Sequence, residues 1–138
     1  MSTLHIPFRH DHVGSFLRPA RLKDARIRYE AGSISAEQLK QIEDEEIAAL
    51  IEKQKQAGCL VITDGEFRRS YWHLDFMWGF QGIQKIELDH GYFFHGEETT
   101  PGSIEVIGKI SGEDHPFVEH FRFVKQFEEE GIVAKQTI

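Results

Sequence analysis

Residues 60–69 read LVITDGEFRR, an apolar run followed by a charged loop that contains a glycine. This order is typical of α/β enzymes, which present reactive groups at the carboxyl ends of buried strands. A second junction of the same kind lies near the N-terminus, where residues 12–19 read HVGSFLRP and a β-rich run ends in a Gly-Ser turn. Two junctions of one kind predict one composite site.

The segments between these junctions have helical patterns. Apolar residues spaced by three and four after Pro19 predict a short helix that ends at Gly32. Ser35 and Gln38 form a capping-box pattern, and the long helix that follows is predicted to end at Gly58. Its predicted buried face consists of Leu39, Ile42, Ala49, Leu50 and Ala57, with Ile47 and Ile51 at the flank.

Three strands are predicted around these helices: Arg9 to Gly14, Cys59 to Thr63, and one that begins at Ile132. The continuous apolar run of the second suits a parallel strand that is covered on both faces. The glycine-punctuated aromatic and β-branched segments of residues 79–110 predict an inserted β-hairpin. The predicted fold class is therefore α/β, a partial (β/α)₈ TIM barrel of the first two to three β/α units with a hairpin excursion.

The length of the chain limits how much of a barrel it can form. A closed barrel needs about 250 residues, and this chain has 138. We expect residues 1–138 to form a single N-terminal part of a barrel domain, which leaves a sheet edge unpaired. The alternative is a small open sheet that is completed by another chain or by a second copy, so a homo-oligomer is one expectation.

Composition disfavours several classes of partner. The net charge of -7 argues against nucleic acid, whose binding requires concentrated Lys and Arg. No apolar run approaches the ~18 residues of a membrane span, and the N-terminus lacks a signal-peptide pattern. We therefore expect a cytoplasmic protein without nucleic-acid or membrane partners. The one cysteine, Cys59, excludes an intramolecular disulfide and is predicted to be a buried, inert thiol.

The charged loop contains the first candidate site residue. Glu66 follows Gly65 at a strand end, where a carboxylate can accept hydrogen bonds from an ammonium group or act as a base. The alternative is an ion pair with Arg68 or Arg69. Asp64 is expected to cap the following turn through its own side chain. Adjacent arginines on a loop point apart, so a joint clamp on a carboxylate is disfavoured and one of them is expected to be only solvated.

The N-terminal junction contains the second candidate. Ser15 follows Gly14, where a hydroxyl and nearby N–H groups can hold an anion at a helix N-terminus; the alternative is an N-terminal helix cap. His10, Asp11 and His12 have the donor atoms of a metal site, but two ligands on one strand face are not a complete set. We therefore predict no metal site within this chain.

An aromatic cluster follows the charged loop. Its residues are Trp72, His73, Asp75, Phe76 and Trp78. Such a cluster can stack on a flat heterocycle, but we favour the alternative, which is an ordinary core under the predicted hairpin.

The two junctions resemble the cobalamin-independent methionine synthase family. The resemblance is carried by residues 12–19 and 63–76 and runs through essentially the whole chain. It points to the branch of stand-alone proteins similar to that enzyme's C-terminal catalytic barrel. It implies 5-methyltetrahydropteroyltriglutamate–homocysteine S-methyltransferase activity in methionine biosynthesis, in which a methylated folate donates its methyl group to homocysteine.

The resemblance also implies roles for particular residues. Gly14 and Ser15 would hold the carboxylate end of homocysteine, and Glu66 would receive its ammonium group. We add His12, Asp64 and Arg68 as candidate supporting residues.

Zinc is a cofactor of the full-length family, where a His, two Cys and a Glu from later barrel strands hold it. The chain stops before those strands. We therefore expect no catalytic residue, no metal ligand and no cofactor within it, and no activity of the chain alone.

The sequence leaves two other functions open. One is a non-catalytic amino-acid-binding or assembly protein that oligomerises through its open sheet edge. The other is a hydrolase that uses Glu66 as a base with Asp64, which requires a water-activating partner that the sequence does not reveal.

Overall fold

The computed structural model describes residues 12–138 and has a mixed α/β architecture with small sheets, which confirms the α/β part of the predicted fold class. In chain order, the elements are α1 (Ala20–Glu30), α2 (Ala36–Gln56), β1 (Val61–Ile62), α3 (Leu74–Trp78), β2 (Gln81–Glu87), β3 (Phe93–Phe94), β4 (Glu97–Glu98), β5 (Gly102–Ser111), α4 (Pro116–Lys125) and β6 (Val133–Ala134). Among these residues, no helix is long and apolar enough to cross a membrane.

The chain divides into two compact units. Within the described residues, the first comprises residues 12–69 and 120–137, and the second comprises residues 70–119 together with Ile138. His10 and Asp11, two of the three residues in the metal hypothesis, lie outside the described residues.

The helices of the first unit begin where the sequence predicts. Pro19 is the N-cap of α1, and its carbonyl oxygen accepts from the N–H groups of Leu22 and Lys23, each at 3.1 Å. The predicted capping box of α2 is confirmed. Ser35 Oγ accepts from the Gln38 N–H at 3.2 Å, and Gln38 Oε1 accepts from the Ser35 N–H at 2.8 Å.

The buried face of α2 differs from the predicted one. Its buried residues are Glu43, Ile47, Ile51 and Gln54. Ala49 and Ala57, which were predicted to be buried, are exposed. The prediction was wrong because it counted apolar residues only, whereas two polar side chains of α2, Glu43 and Gln54, turn inward to bind the segment that follows β1.

The strands of the first unit confirm the predicted parallel pairing. β1 pairs with β6, with Val61 opposite Val133 and Ile62 opposite Ala134. Of the first predicted strand, residues 12–14 are described and form a loop. The strand prediction is wrong for these residues, since Gly14 has φ +89°, outside the extended region, and the apolar Val13 is exposed instead of buried in a sheet.

One hydrophobic core fills the first unit. Its fully buried members are Leu22, Ile47, Ile51, Ile62, Phe67 and Val124. Phe67 belongs to the charged loop, and only 1% of its surface is exposed. Burying a side chain of this size stabilises a fold by roughly 1.5–3 kcal/mol. The charged loop is therefore anchored to the core by its own phenylalanine.

The second unit is built on hairpins. β2 pairs with β5 in antiparallel register from Glu87 opposite Gly102 to Ile83 opposite Val106, and after an irregularity Gln81 lies opposite Ser111. β3 and β4 form a smaller antiparallel hairpin whose two-residue turn is His95-Gly96, with φ +50° and +85°. Positive φ at both turn positions is that of a type I′ turn, which matches the twist of the flanking strands.

A buried histidine fixes the interior of the second unit. His115 Nδ1 accepts from the Phe117 N–H at 3.1 Å, so the proton lies on Nε2, which is 2.9 Å from the carbonyl oxygen of Phe76. Gly79 lies so close that a Cβ on it would be 2.4 Å from His115 Nε2. The imidazole is thus a neutral packing element with both nitrogens in use.

Candidate functional site

The charged loop after β1 is an interior segment. Residues 61–67 are all buried, and so is Arg69. A buried loop needs partners for its backbone polar groups, because no water can satisfy them. The partners here are mostly side chains from other parts of the first unit.

Gln54 of α2 extends β1 by one residue. Its Nε2 donates to the carbonyl oxygen of Thr63 at 2.8 Å, and its Oε1 accepts from the Thr63 N–H at 3.0 Å. The carboxamide thus imitates the backbone of a neighbouring strand. Thr63 Oγ1 in turn accepts from the Gly65 N–H at 3.1 Å and starts the turn.

Asp64 caps that turn, which confirms its predicted structural role. Its Oδ1 accepts from the Glu66 N–H at 2.9 Å. Burial raises the pKa of the Asp64 carboxyl above its ordinary value, and the turn hydrogen bond and the nearby Arg69 and Arg68 offset part of this effect. Asp64 therefore stabilises the turn that contains Glu66.

Glu66 has a left-handed backbone, which is costly for a residue with a Cβ. Its φ is +57°, next to Gly65 at +62°, and such a conformation costs roughly 1–2 kcal/mol. Arg18 Nη2 offsets this by donating to the carbonyl oxygens of Glu66 and Arg69, each at 2.9 Å. The Arg69 N–H also donates to the Glu66 carbonyl, at 3.1 Å.

The Glu66 carboxylate has two partners among the described residues. Arg69 Nη1 lies 3.5 Å from Oε1, and Thr137 Oγ1 donates to the same oxygen at 3.1 Å. Arg69 Nη2 also donates to the carbonyl oxygen of Thr137. The ion pair that was the alternative for Glu66 is therefore present, with Arg69 and not with Arg68. The Glu66 carboxylate is therefore buried, its charge is compensated by Arg69, and Arg69 and Thr137 both hold it in place.

Arg68 points away from Glu66. Its guanidinium lies 3.3 Å from Glu43 and 2.5 Å from Asp44 of α2, and it covers the ring of Phe123. The expectation that one of the two arginines is only solvated is wrong, since the exposed side-chain fractions are 5% for Arg68 and 4% for Arg69. Arg68 is paired with two carboxylates of α2, and Arg69 is paired with Glu66 of the same loop.

Glu43 and Arg26 complete the support of the loop. Glu43 lies 3.3 Å from Arg26 and from Arg68, and Arg26 donates to the carbonyl oxygen of Phe67. Burial raises the pKa of Glu43, although Arg68 and Arg26 oppose this. Sequence analysis missed these residues, as it missed Gln54 and Arg18. The sequence does contain a signal for two of them. Glu43 and Gln54 are spaced by four and three residues from the buried Ile47 and Ile51, so they lie on the same face of α2.

The N-terminal junction lies beside the charged loop. The Phe16 N–H donates to the carbonyl oxygen of Gly65 at 3.1 Å, which brings the two predicted half-sites together at the level of the backbone. Gly14 and Ser15 are exposed. Within the described residues, no hydrogen bond joins the Ser15 side chain to Glu66.

The cap role considered for Ser15 is wrong, and the role of holding an anion stays a prediction. Pro19 is the N-cap of α1, without a side-chain cap, and the helix begins at Ala20. Ser15 therefore stands neither as a cap nor at a helix N-terminus. His12, a candidate supporting residue, accepts from Lys135 Nζ at 3.0 Å through its carbonyl oxygen and lies with its ring 5.3 Å from that of Phe16.

The described residues offer no zinc site. Nowhere in residues 12–138 do three His, Cys, Asp or Glu side chains gather as metal ligands. Cys59 is buried at the entry to β1, as predicted. The zinc that the family resemblance implies does not fit these residues, and no chemical step is derived through it.

The aromatic cluster of the second unit is partly packed and partly exposed. Trp78 donates its indole N–H to the carbonyl oxygen of Ser103 at 3.0 Å, and the ring of Phe76 lies 5.0 Å from that of His115. Trp72, by contrast, is 65% exposed. Phe76 and Trp78 are partly buried and packed within the second unit, which agrees in part with the core role that was favoured, and stacking on a heterocycle stays a prediction.

Comparison with known proteins identifies the family. Residues 8–100 match the family described as cobalamin-independent synthase, catalytic domain. This is more than half of the chain, and the chain belongs to this family.

Several relatives agree with this assignment. The uncharacterized protein YxjH of Bacillus subtilis is 46% identical over 120 residues, which cover 87% of this chain and 32% of the relative. A methionine synthase of Saccharolobus solfataricus is 30% identical over 118 residues, which cover 82% of this chain and 33% of that protein. The chain thus spans about a third of the length of the curated relatives it matches.

A solved structure shares the fold. It is that of a candidate vitamin-B12-independent methionine synthase from Listeria monocytogenes, with a TM-score of 0.76 and 43% identity. The match covers 96% of this chain and 36% of that protein. The mixed α/β arrangement described here is therefore one that a member of the family adopts over nearly the whole length of this chain.

Proposed function

We propose that this chain supplies the amino-acid-binding part of a methyltransferase of the cobalamin-independent methionine synthase type, and that its strands and helices are the first β/α units of a TIM barrel. The observation that carries the proposal is the state of Glu66. It has a left-handed backbone at the end of a parallel strand and a carboxylate that is almost fully buried. Strained non-glycine residues that the surrounding structure over-determines cluster at functional sites.

In the proposed complex, Glu66 receives the ammonium group of homocysteine. A carboxylate accepts charge-assisted hydrogen bonds from an ammonium group, and these are about twice as strong as neutral ones. Arg69 compensates the charge of Glu66 when no ligand is present. The ligand then shares the carboxylate with Arg69 and Thr137.

Gly14 and Ser15 hold the carboxylate end of the same ligand. Their exposure leaves them accessible, and the bond from Phe16 to Gly65 keeps their segment beside the turn that presents Glu66. Asp64 and Arg68 support the site indirectly, since the first caps the turn and the second fastens it to α2. His12 belongs to the same segment as Ser15.

The remainder of the reaction is proposed for the longer family member. A methylated folate would donate the methyl group and the homocysteine sulfur would accept it, giving methionine in a cytoplasmic biosynthetic reaction. The relatives are about three times as long as this chain, and the proposed zinc site and the rest of the folate site belong to their remaining length. We propose that the chain alone binds the amino acid and does not transfer the methyl group.

Calorimetric titration tests this with a matched set of ligands and variants. The purified chain is titrated with L-homocysteine and with 4-mercaptobutanoate, which lacks only the amino group. Glu66→Gln keeps the shape of the side chain and removes its charge, and Glu52→Gln is the control because Glu52 is exposed on α2. We expect Glu66→Gln to weaken homocysteine binding about tenfold or more and to leave 4-mercaptobutanoate unaffected.

Other results would redirect the proposal. If Glu66→Gln binds homocysteine as tightly as the parent chain, Glu66 does not receive the ammonium group and the assignment is overturned. If the chain binds homocysteine and sediments as a discrete oligomer, the alternative function that the sequence left open gains support. That alternative is a non-catalytic amino-acid-binding or assembly protein that associates through its open sheet edge.

A further inference from the structure

Arg18 is not among the residues proposed to bind the amino acid, yet it makes two hydrogen bonds to the backbone that presents Glu66. We propose that Arg18 is a positioning residue, which holds Glu66 in its left-handed conformation and thereby sets how well the site recognises an ammonium group. This inference rests on the proposed function of Glu66 and assigns a further residue to the same site.

The geometry of Arg18 defines both ends of the turn. Its Nη2 donates one hydrogen to the carbonyl oxygen of Glu66 and the other to that of Arg69, each at 2.9 Å. Both hydrogens of this nitrogen are thus used, and the two acceptors lie three residues apart. The guanidinium is planar and rigid, so it fixes the distance between these carbonyls in a way that a flexible ammonium group does not.

Arg18 and Asp64 pin Glu66 from opposite sides. Asp64 Oδ1 accepts from the Glu66 N–H at 2.9 Å, and Arg18 binds the carbonyl on the other side of the same residue. With both peptide groups fixed, the Glu66 side chain leaves the backbone in a fixed direction. It points at Arg69 and Thr137, which bind its Oε1.

Arg18 also belongs to the segment that contains the other half of the proposed site. Phe16, two residues earlier, donates its N–H to the carbonyl oxygen of Gly65 at 3.1 Å. Residues 16–18 and residues 65–69 are therefore joined by three hydrogen bonds over a short distance. Arg18 couples the position of Glu66 to that of Gly14 and Ser15, which sets the spacing between the groups that bind the two ends of an α-amino acid.

The test uses two variants and a matched control. Arg18→Gln removes the guanidinium, and Arg18→Lys keeps the charge but places its nitrogen one bond short of the Nη2 position, on a more flexible stem. Arg21→Gln is the control, because Arg21 is an exposed arginine that pairs with Glu45 and Glu46 and does not contact the turn. Arg18→Lys also covers the case in which Arg18→Gln fails to fold.

The first readout needs no ligand. The ¹³Cα and ¹³Cβ chemical shifts of Glu66 report its backbone conformation directly. We expect both to move away from left-handed values in Arg18→Gln, to move less in Arg18→Lys, and to stay unchanged in Arg21→Gln. Unchanged Glu66 shifts in a folded Arg18→Gln or Arg18→Lys chain would overturn the positioning role, whatever the chain binds.

The second readout separates positioning from general loss of stability. It is the ratio of the dissociation constants for 4-mercaptobutanoate and L-homocysteine, which measures the advantage of the ammonium group. We expect Arg18→Gln to lower this ratio about tenfold, whereas a merely structural loss would weaken both ligands equally and contradict the proposal. If the parent chain binds neither ligand, the proposed function fails, and the Glu66 shifts still decide the role of Arg18.

Discussion

Within residues 12–138, each unit of this protein has one pair of neighbouring residues with positive φ that includes a glycine, and the two pairs are held in different ways. In the second unit the pair is His95-Gly96, and in the first it is Gly65-Glu66. The hairpin turn does not depend on side chains from elsewhere, because a type I′ turn matches the twist of the strands that it joins. The pair after β1 joins no hairpin and depends on side chains from elsewhere in the first unit.

The difference lies in burial and in the origin of the partners. A Cβ on Gly96 would meet nothing within 4 Å, whereas one on Gly65 would lie 2.4 Å from Leu50 Cδ2 and 3.2 Å from Phe16 Cδ2. The bonds that hold Glu66 include one from Arg18, 48 residues earlier in the chain. The same backbone conformation is thus a local preference in one unit and a product of tertiary structure in the other.

Gly65→Ala should give the largest effect. The new methyl group would combine a left-handed backbone with contacts that require Leu50 and Phe16 to move. Overpacking costs about 1–3 kcal/mol and the left-handed conformation about 1–2 kcal/mol. We expect the free energy of unfolding of the first unit to fall by about 3 kcal/mol, measured by urea unfolding with far-UV circular dichroism, which reports mainly on α1 and α2.

Gly96→Ala is the matched control for this prediction. It has the strain of a positive φ, +85°, without the close contacts. We expect a loss of about 1 kcal/mol that is confined to the β3–β4 hairpin. Equal losses in the two variants would show that the packing around Gly65 contributes nothing, and the contrast between the two pairs would be lost.

Asp64→Ala should give the next largest effect. The substitution removes the acceptor of the buried Glu66 N–H and leaves that donor without a partner. An unsatisfied buried donor costs about 1–3 kcal/mol, and we expect urea unfolding to show a loss of about 2 kcal/mol. Asp64→Asn is the informative partner variant, since its Oδ1 can still accept this hydrogen bond.

The Asn variant also gives a pH dependence of known sign. Burial raises the pKa of Asp64 above the ordinary value of about 3.9. The protonated form is therefore the one that the fold favours, and stability from this group is lost as pH rises from that value through the raised pKa. Asp64→Asn should match the parent chain in acid and exceed it in stability above this window. A stability difference that does not change with pH would contradict the raised pKa.

The sequence predicted the features that depend on neighbouring residues. The capping box of Ser35 and Gln38 and the turn of Asp64 each involve residues two or three positions apart, so their hydrogen bonds follow from local chemistry. The parallel strand at residues 59–63 and the strand that begins near Ile132 were also predicted, from apolar runs that follow helix patterns, and the structure pairs them as β1 and β6. The family resemblance added Glu66, Gly14 and Ser15, and their roles remain predictions.

What the sequence did not predict depends on distant partners. Thr137 reaches Glu66 from 71 residues away, and no local pattern marks it. The inward turn of Glu43 was missed because an apolar count treats a buried, doubly paired carboxylate as surface. The prediction that one arginine is only solvated was wrong because of distant partners, since the α2 carboxylates that pair with Arg68 lie 24 and 25 residues away.

His95→Asn should give the smallest effect, and it has the opposite sign. His95 has φ +50° on an exposed turn, and asparagine tolerates this conformation better because its short polar side chain bonds locally. We expect the β3–β4 hairpin to gain roughly 0.5 kcal/mol, within the cost of about 1–2 kcal/mol that the left-handed conformation imposes on histidine. Amide hydrogen exchange at Thr99, whose N–H donates to the Tyr92 carbonyl at 2.8 Å, would slow by about twofold. Faster exchange at Thr99 would mean that the imidazole of His95 contributes to the turn, and that this pair too depends on more than the local preference of its backbone.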